Sequence, residues 1–237
     1  MSYTWIAFLN LWLMFCTAAE IYKLLIENQI TDRIGEIKFD FLDISVRINE
    51  KSAVGDLFQE WFAKWLEINC IEFRIKPNTQ EFPDFLLDSK SDKKNLLEIK
   101  TFDYNRSANF DVANFEAYCR ALKNQAYRLD ADYLIFAYSL ANSQFKIEKL
   151  WLKKIWEIAG NSENYPVKLQ VKQKVIYNIR PVNWYSKRST YKAFTNRLKF
   201  VEALYETLMQ YSNTKNLSRN WLTEVKNNYL SHTEQRL

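Results

Sequence analysis

Between residues 82 and 102 the chain carries two apolar runs separated by a polar turn. Phe82-Pro83-Asp84-Phe85-Leu86-Leu87-Asp88 is followed by the charged stretch Ser89–Asn95 and then by Leu96-Leu97-Glu98-Ile99-Lys100-Thr101-Phe102. Runs of this length bounded by turn residues read as a β-hairpin, and their apolar content requires cover on both faces. The cover is available nearby. Ala53–Asn69 places Val54, Leu57, Phe58, Trp61, Phe62 and Trp65 at i, i+3, i+4 spacing, the signature of an amphipathic helix. A helix capped at Asn109 or Asp111 is expected to run to about Arg128, and Tyr133–Leu140 reads as a buried strand. Further strands are expected at Ile37–Ile48, Ile71–Ile75, Phe145–Leu152 and Val167–Ile179. Helices are expected at Lys154–Ala159, Thr190–Tyr211 and Leu217–Tyr229. The alternation of helices and strands predicts an α/β or α+β layer fold.

Composition removes several classes of chemistry. Only 3 Gly and 4 Pro argue against a turn-rich β-sandwich, and 48% hydrophobic residues argue against disorder. Cys16, Cys70 and Cys119 are far apart, no CxxC pair exists and His232 is the only histidine, so neither a disulfide framework nor a zinc site is expected. A reducing, cytoplasmic location fits this cysteine usage. A lone histidine near the C-terminus weakens any nucleophile–histidine reading, which leaves carboxylates, lysines and a hard metal ion. The net charge is +5, with an acidic first 60 residues and a basic remainder, as suits a polyanionic partner. The apolar run Trp5–Ala19 has no basic residue before it and continues into Glu20–Ile26, so it is read as part of one helix over residues 3–28. That helix would be buried in the fold or in a subunit interface, not in a membrane.

The hairpin also carries the charged residues most suited to catalysis. Side chains alternate along a strand at about 3.3 Å per residue, so Glu98 and Lys100 share one face while Leu97 and Ile99 take the other. The hairpin returns Asp84 to the same end of the sheet. Two carboxylates and one ammonium on one patch suit a hard divalent cation held through oxygen. The lysine would orient or deprotonate an attacking water and offset charge on a reacting phosphate.

Pro83-Asp84 and Glu98-Ile99-Lys100, with 13 residues between the carboxylates, resemble the PD-(D/E)xK nuclease signature. The preceding helix, the apolar hairpin and the following helix and strand match that superfamily over about residues 52–140. The single-domain length (1–237) and the lack of helicase, methylase or Walker motifs make the chain look most like a type II restriction endonuclease. The resemblance implies a central mixed β-sheet flanked by helices, with the N-terminal helix and residues 180–237 as structural, dimerisation or DNA-contacting additions. It implies Asp84, Glu98 and Lys100 as catalytic residues. Asp84 and Glu98 would also be ligands of Mg2+, with Glu60 from the preceding helix as a further metal ligand and Glu67 behind it. It implies hydrolysis of phosphodiesters in double-stranded DNA by in-line attack of water, leaving a 5′-phosphate and a 3′-hydroxyl. A homodimer and a cognate DNA methyltransferase encoded nearby would accompany it.

Two segments suit DNA contact. The polar loop after Lys100 offers Asn105, Arg106 and Asn109, and Arg180–Lys192 interleaves bases with aromatics, offering Arg180, Asn183, Lys187 and Arg188. Two alternatives stay open at this stage: a structure-specific repair or junction nuclease of the same fold, and a non-catalytic DNA-binding protein.

Overall fold

The computed structural model of the protein describes residues 14–52, 54–78 and 81–237. Along the chain the elements are α1 (Ala18–Glu27), β1 (Ile34–Gly35), β2 (Lys38–Phe41), β3 (Ile44–Arg47), α2 (Val54–Ile68), β4 (Phe85–Leu86), β5 (Leu96–Asp103), β6 (Ala113–Asn114) and α3 (Phe115–Leu122). They continue as β7 (Asp132–Ala141), β8 (Gln144–Lys154), α4 (Ile155–Ile158), β9 (Leu169–Lys172), β10 (Val175–Ile179), α5 (Arg197–Gln210) and α6 (Trp221–Thr233).

The main sheet is mixed, in the order β1-β8-β7-β5-β4. Only the β5–β7 pairing is parallel, with α3 in the crossover, and the other neighbours are antiparallel. Central β7 is buried on both faces, which accounts for the continuous apolar run read from its sequence. Its alternate side chains enter two cores. Leu134, Phe136 and Tyr138 pack with Leu97, Ile99 and the α1/α2 stripe Ile21, Leu25, Phe58, Phe62 and Leu66. Tyr133, Ile135 and Ala137 pack on the other face with α3, α5 and α6 through Phe115, Cys119, Phe200, Leu204, Trp221 and Tyr229. Burying each large aromatic or aliphatic side chain contributes about 1.5–3 kcal/mol, so the sheet is held from both sides. Helices beyond residue 140 therefore close the second face of the sheet whose first face is closed by α2.

A second sheet, β6-β10-β9, packs beside the first and brings Ala113–Asn114 against Asn178–Ile179. A third pairing, β2–β3, is a hairpin with all its residues exposed.

Several boundaries differ from those read in the sequence. Among the described residues the first helix starts at Ala18, at the end of the apolar run: Thr17 and Glu20 form a capping box, and Met14 bridges to Ile71. Residues 3–13 of the helix expected over 3–28 lie outside the described residues. Strand Ile71–Ile75 reduces to isolated bridges at Ile71 and Arg74. The helix expected from Asn109 or Asp111 is capped by Asn114, whose side chain accepts from the Ala117 N–H, because residues 112–114 are taken up by the pairing with β10. It ends at Leu122, and a 3-10 turn, Ala126–Asp130, leads into β7. The helix expected from Thr190 starts at Arg197, capped by Asn196. Among the described residues no helix is long and apolar enough to cross a membrane.

Candidate active site

The β4–β5 hairpin sets Phe85 opposite Leu97 and Leu86 opposite Leu96, which leaves Asp84 just beyond the last pair, level with Glu98 and Ile99. The peptide N–H of Ile99 donates to Asp84 Oδ2 at 2.8 Å. The N–H of Asp84 donates to Glu98 Oε2 at 3.2 Å, so each carboxylate is held by the other residue's strand. Lys100, two residues along on the same face, donates from Nζ to Glu98 Oε1 at 2.8 Å. The three residues matched to the nuclease signature are thus brought into one hydrogen-bonded group. The Phe82–Pro83 peptide that leads into it is cis.

Charge is concentrated there. Glu98 is only 7% exposed. Burial, followed by the charge of Glu98, pushes the Asp84 carboxyl up to about 7, against the opposing pull of Lys100 and of the Ile99 N–H. For Lys100 burial is the largest influence and disfavours the ammonium, but the charges of Glu98 and Asp84 together with the Glu98 hydrogen bond outweigh it and raise its pKa. Lys100 is therefore a cation at neutral pH. Orienting water and offsetting negative charge fit that state.

The three side chains line a cleft of about 650 Å³ that also contains Glu81, Asp111, Tyr118, Gln125 and Arg128. Asp111 is the acidic neighbour missed in the sequence: it stands in the loop before β6 and acts electrostatically on Lys100. Its place in the cleft depends on Arg180, whose Nη2 pairs with Asp111 at 2.9 Å and whose Nη1 donates to the Asn109 carbonyl at 2.7 Å.

Helix α2 contributes a different residue from the one expected. The Gln59 side chain hydrogen-bonds to Asp84. Glu60 is exposed and absent from the cleft lining, and Glu67 is exposed and paired with Lys64 at 2.7 Å. Helical phase is the reason. At 100° per residue Glu60 lies about 180° from the centre of the buried Val54/Phe58/Phe62/Leu66 stripe, and Gln59 only about 80° away.

The two segments expected to contact DNA meet each other. The Ala108 N–H donates to the Tyr185 hydroxyl at 3.0 Å, and Asn183 Nδ2 approaches Ser107 Oγ at 3.4 Å. Arg106, with a side chain 82% exposed, lies 3.9 Å from Asp103, while the Asn105 N–H donates to Asp103 at 3.0 Å. Lys187 and Arg188 are exposed. Arg180 is not: its side chain is 14% exposed and committed to Asn109 and Asp111. Trp184 and Tyr185 pack inward on Phe102 and Trp151, with the Trp151–Tyr185 rings 5.4 Å apart.

Two carboxylates side by side, Glu98 buried and Asp84 half-buried, are suited to a divalent cation. Their oxygens, with Gln59 beside them, form a hard donor set that fits Mg2+. Among the described residues no group of three or more His, Cys, Asp or Glu side chains forms a metal cluster.

Comparison with known proteins identifies the family. The family model of the NgoBV restriction endonuclease matches residues 15–237. The type II restriction enzyme NlaIV of Neisseria lactamica is 38% identical over 219 residues, covering 91% of this chain and 90% of that protein. The type II restriction enzyme NgoBV of Neisseria gonorrhoeae is 34% identical over 169 residues, covering 66% of this chain and 90% of that protein. The solved structure of the NlaIV restriction endonuclease superposes with a TM-score of 0.90 at 35% identity, covering 94% of this chain and 92% of that one. The mixed α/β architecture with helices on both sides of the sheet is therefore that of a restriction endonuclease, and the chain belongs to the NgoBV restriction endonuclease family.

Proposed function

We propose that the protein is a Mg2+-dependent type II restriction endonuclease that hydrolyses both strands of a specific site in double-stranded DNA. The observation that carries this reading is the reciprocal bonding of Asp84 and Glu98 across the hairpin, with Lys100 bound to Glu98, at the wall of an open cleft. Family membership supports the reaction class, and the geometry supports the residues.

In this reading Asp84 and Glu98 hold Mg2+, which when bound supplies positive charge to the scissile phosphate and to the attacking water. Glu98 also fixes Lys100. The Lys100 ammonium then faces the phosphate as a donor, orients the water and offsets negative charge as it develops. The Ile99 N–H and the Gln59 side chain hold Asp84 in place, so the carboxylate is positioned before substrate arrives. Lys187, Arg188 and Arg106, all exposed, are the basic residues we assign to DNA contact, with Asn105, Asn109 and Asn183 from the same pair of adjoining segments. Cleavage of both strands calls for a two-fold dimer with one site per strand, and the cognate partner is a DNA methyltransferase that protects the same sequence.

The test is digestion of unmethylated phage DNA with Mg2+, with EDTA, and with Asp84→Ala. Discrete fragments that disappear in both controls are expected, and sequencing their ends gives the site. A smear would instead assign a nuclease without sequence preference. No cleavage by the folded protein on several DNAs would overturn the catalytic reading.

A further inference from the structure

The cleft that holds Asp84, Glu98 and Lys100 continues to the 3-10 turn Ala126–Asp130, where Tyr118, Gln125 and Arg128 line it. Two buried polar atoms of this lining have no hydrogen-bond partner among the described residues: the Tyr118 hydroxyl and Gln125 Oε1. Tyr118 is 5% exposed. Buried polar atoms are nearly always satisfied, so the orphaned Tyr118 hydroxyl in the lining points to an acceptor oxygen brought in from outside.

Arg128 supplies the charge. Its guanidinium stacks 5.1 Å above the Phe82 ring, two residues before Asp84, which fixes it to the segment that carries the first catalytic carboxylate. Among the described residues it has no ion pair and no side-chain hydrogen bond. Arg74, Arg120, Arg180 and Arg197, by contrast, each face a carboxylate. A half-buried, stacked and unpaired guanidinium beside the buried Tyr118 hydroxyl offers several donors to one anion. Its planar fork matches two phosphate oxygens.

We propose that Arg128, with Tyr118, binds a backbone phosphate of the DNA strand next to the phosphate that is cleaved, and so sets the strand's register in the cleft. The assignment rests on the reading of Asp84, Glu98 and Lys100 as the cleavage centre. A phosphate one step along the strand occupies the end of the cleft away from the carboxylates. There Arg128 replaces the counterions that the phosphate sheds on binding.

The test is equilibrium binding of a fluorescent duplex carrying the mapped site, in EDTA so that no cleavage intervenes. Arg128→Gln is expected to weaken binding by 10-fold or more and to reduce the slope of log K against log salt by about 1, whereas Arg128→Lys keeps the slope. A scan of single methylphosphonates along one strand identifies the contact. One position beside the scissile phosphate weakens the wild-type protein and has no further effect on Arg128→Gln. Wild-type salt slope and an unchanged methylphosphonate profile in Arg128→Gln would overturn the proposal. If Arg128→Gln does not fold, the same scan on Arg128→Lys decides, since the absence of any weakening methylphosphonate beside the scissile phosphate refutes the contact. Asp84→Ala run in parallel separates the two readings: retained cleavage there refutes the cleavage centre, while the binding scan still reports on Arg128.

Discussion

Asp84 and Glu98 hold each other across the hairpin: the Asp84 N–H donates to the Glu98 carboxylate at 3.2 Å, and the peptide N–H just after Glu98 donates to the Asp84 carboxylate at 2.8 Å. The backbone of each strand thus presents the other strand's acid. Burial and the charge of Glu98 raise the cost of ionising Asp84, and the consequences can be measured without substrate.

The first concerns stability against pH. Asp84 keeps its proton to about 7 in the folded protein but releases it near 3.8 when unfolded. The folded state binds more protons between these values, so this contribution to stability is full below about pH 4 and is lost as pH rises through 7. The shift bounds the effect at about 4 kcal/mol. In EDTA, Asp84→Asn is expected to melt above the wild type at pH 8, with the gap closing toward pH 4. Thermal unfolding across pH measures this, and parallel profiles for the two proteins would contradict it.

The second separates neighbours on α2. Gln59 bonds to Asp84 and Glu60 points away from the sheet. Gln59→Ala is expected to lower the cleavage rate by about 10-fold through loss of one hydrogen bond to a charged group, and Glu60→Ala to change it less than twofold. Single-turnover rates at saturating Mg2+ decide between this and the reverse order.

The hairpin and its acids were readable in the sequence because both depend on local pattern: alternation placed Glu98 and Lys100 on one face, and a short polar turn returned Asp84 beside them. The α2 contribution was misread because residue type was weighed above helical phase. Glu60 is acidic but opposite the buried stripe, while uncharged Gln59 lies on its flank. Asp111 and the true start of α3 were not readable, since both depend on pairing with β10 and on Arg180, about 70 residues away in sequence. Trp61 was expected in the core and is exposed, because the helix turns only part of its apolar face to the sheet.

The third prediction assigns Arg180 to the fold. Its side chain anchors Asn109 and Asp111 and is largely covered. Arg180→Ala is expected to cost about 1–3 kcal/mol in stability by leaving its partners unsatisfied, with little change in the salt dependence of DNA binding. Urea unfolding and a salt titration report the two effects. A flattened salt slope with unchanged stability would return Arg180 to the DNA interface.

The fourth concerns Gly160, which bridges to Ala193. A methyl group there would collide with the Lys192 carbonyl oxygen and with Val182. Gly160→Ala is expected to destabilise the protein by about 1–3 kcal/mol through forced backbone displacement, read as a lower urea midpoint with an unchanged slope.

The most direct test of the cleavage centre is the single-turnover rate on a duplex bearing the mapped site, measured for the wild type, Asp84→Ala and Lys100→Ala at equal occupancy of DNA. The account predicts that both variants bind the duplex within a few-fold of wild type. It also predicts that Asp84→Ala abolishes cleavage and that Lys100→Ala slows it by about 10²–10³-fold, the usual cost of removing one donor aimed at developing charge. Cleavage by either variant at the wild-type rate would contradict it.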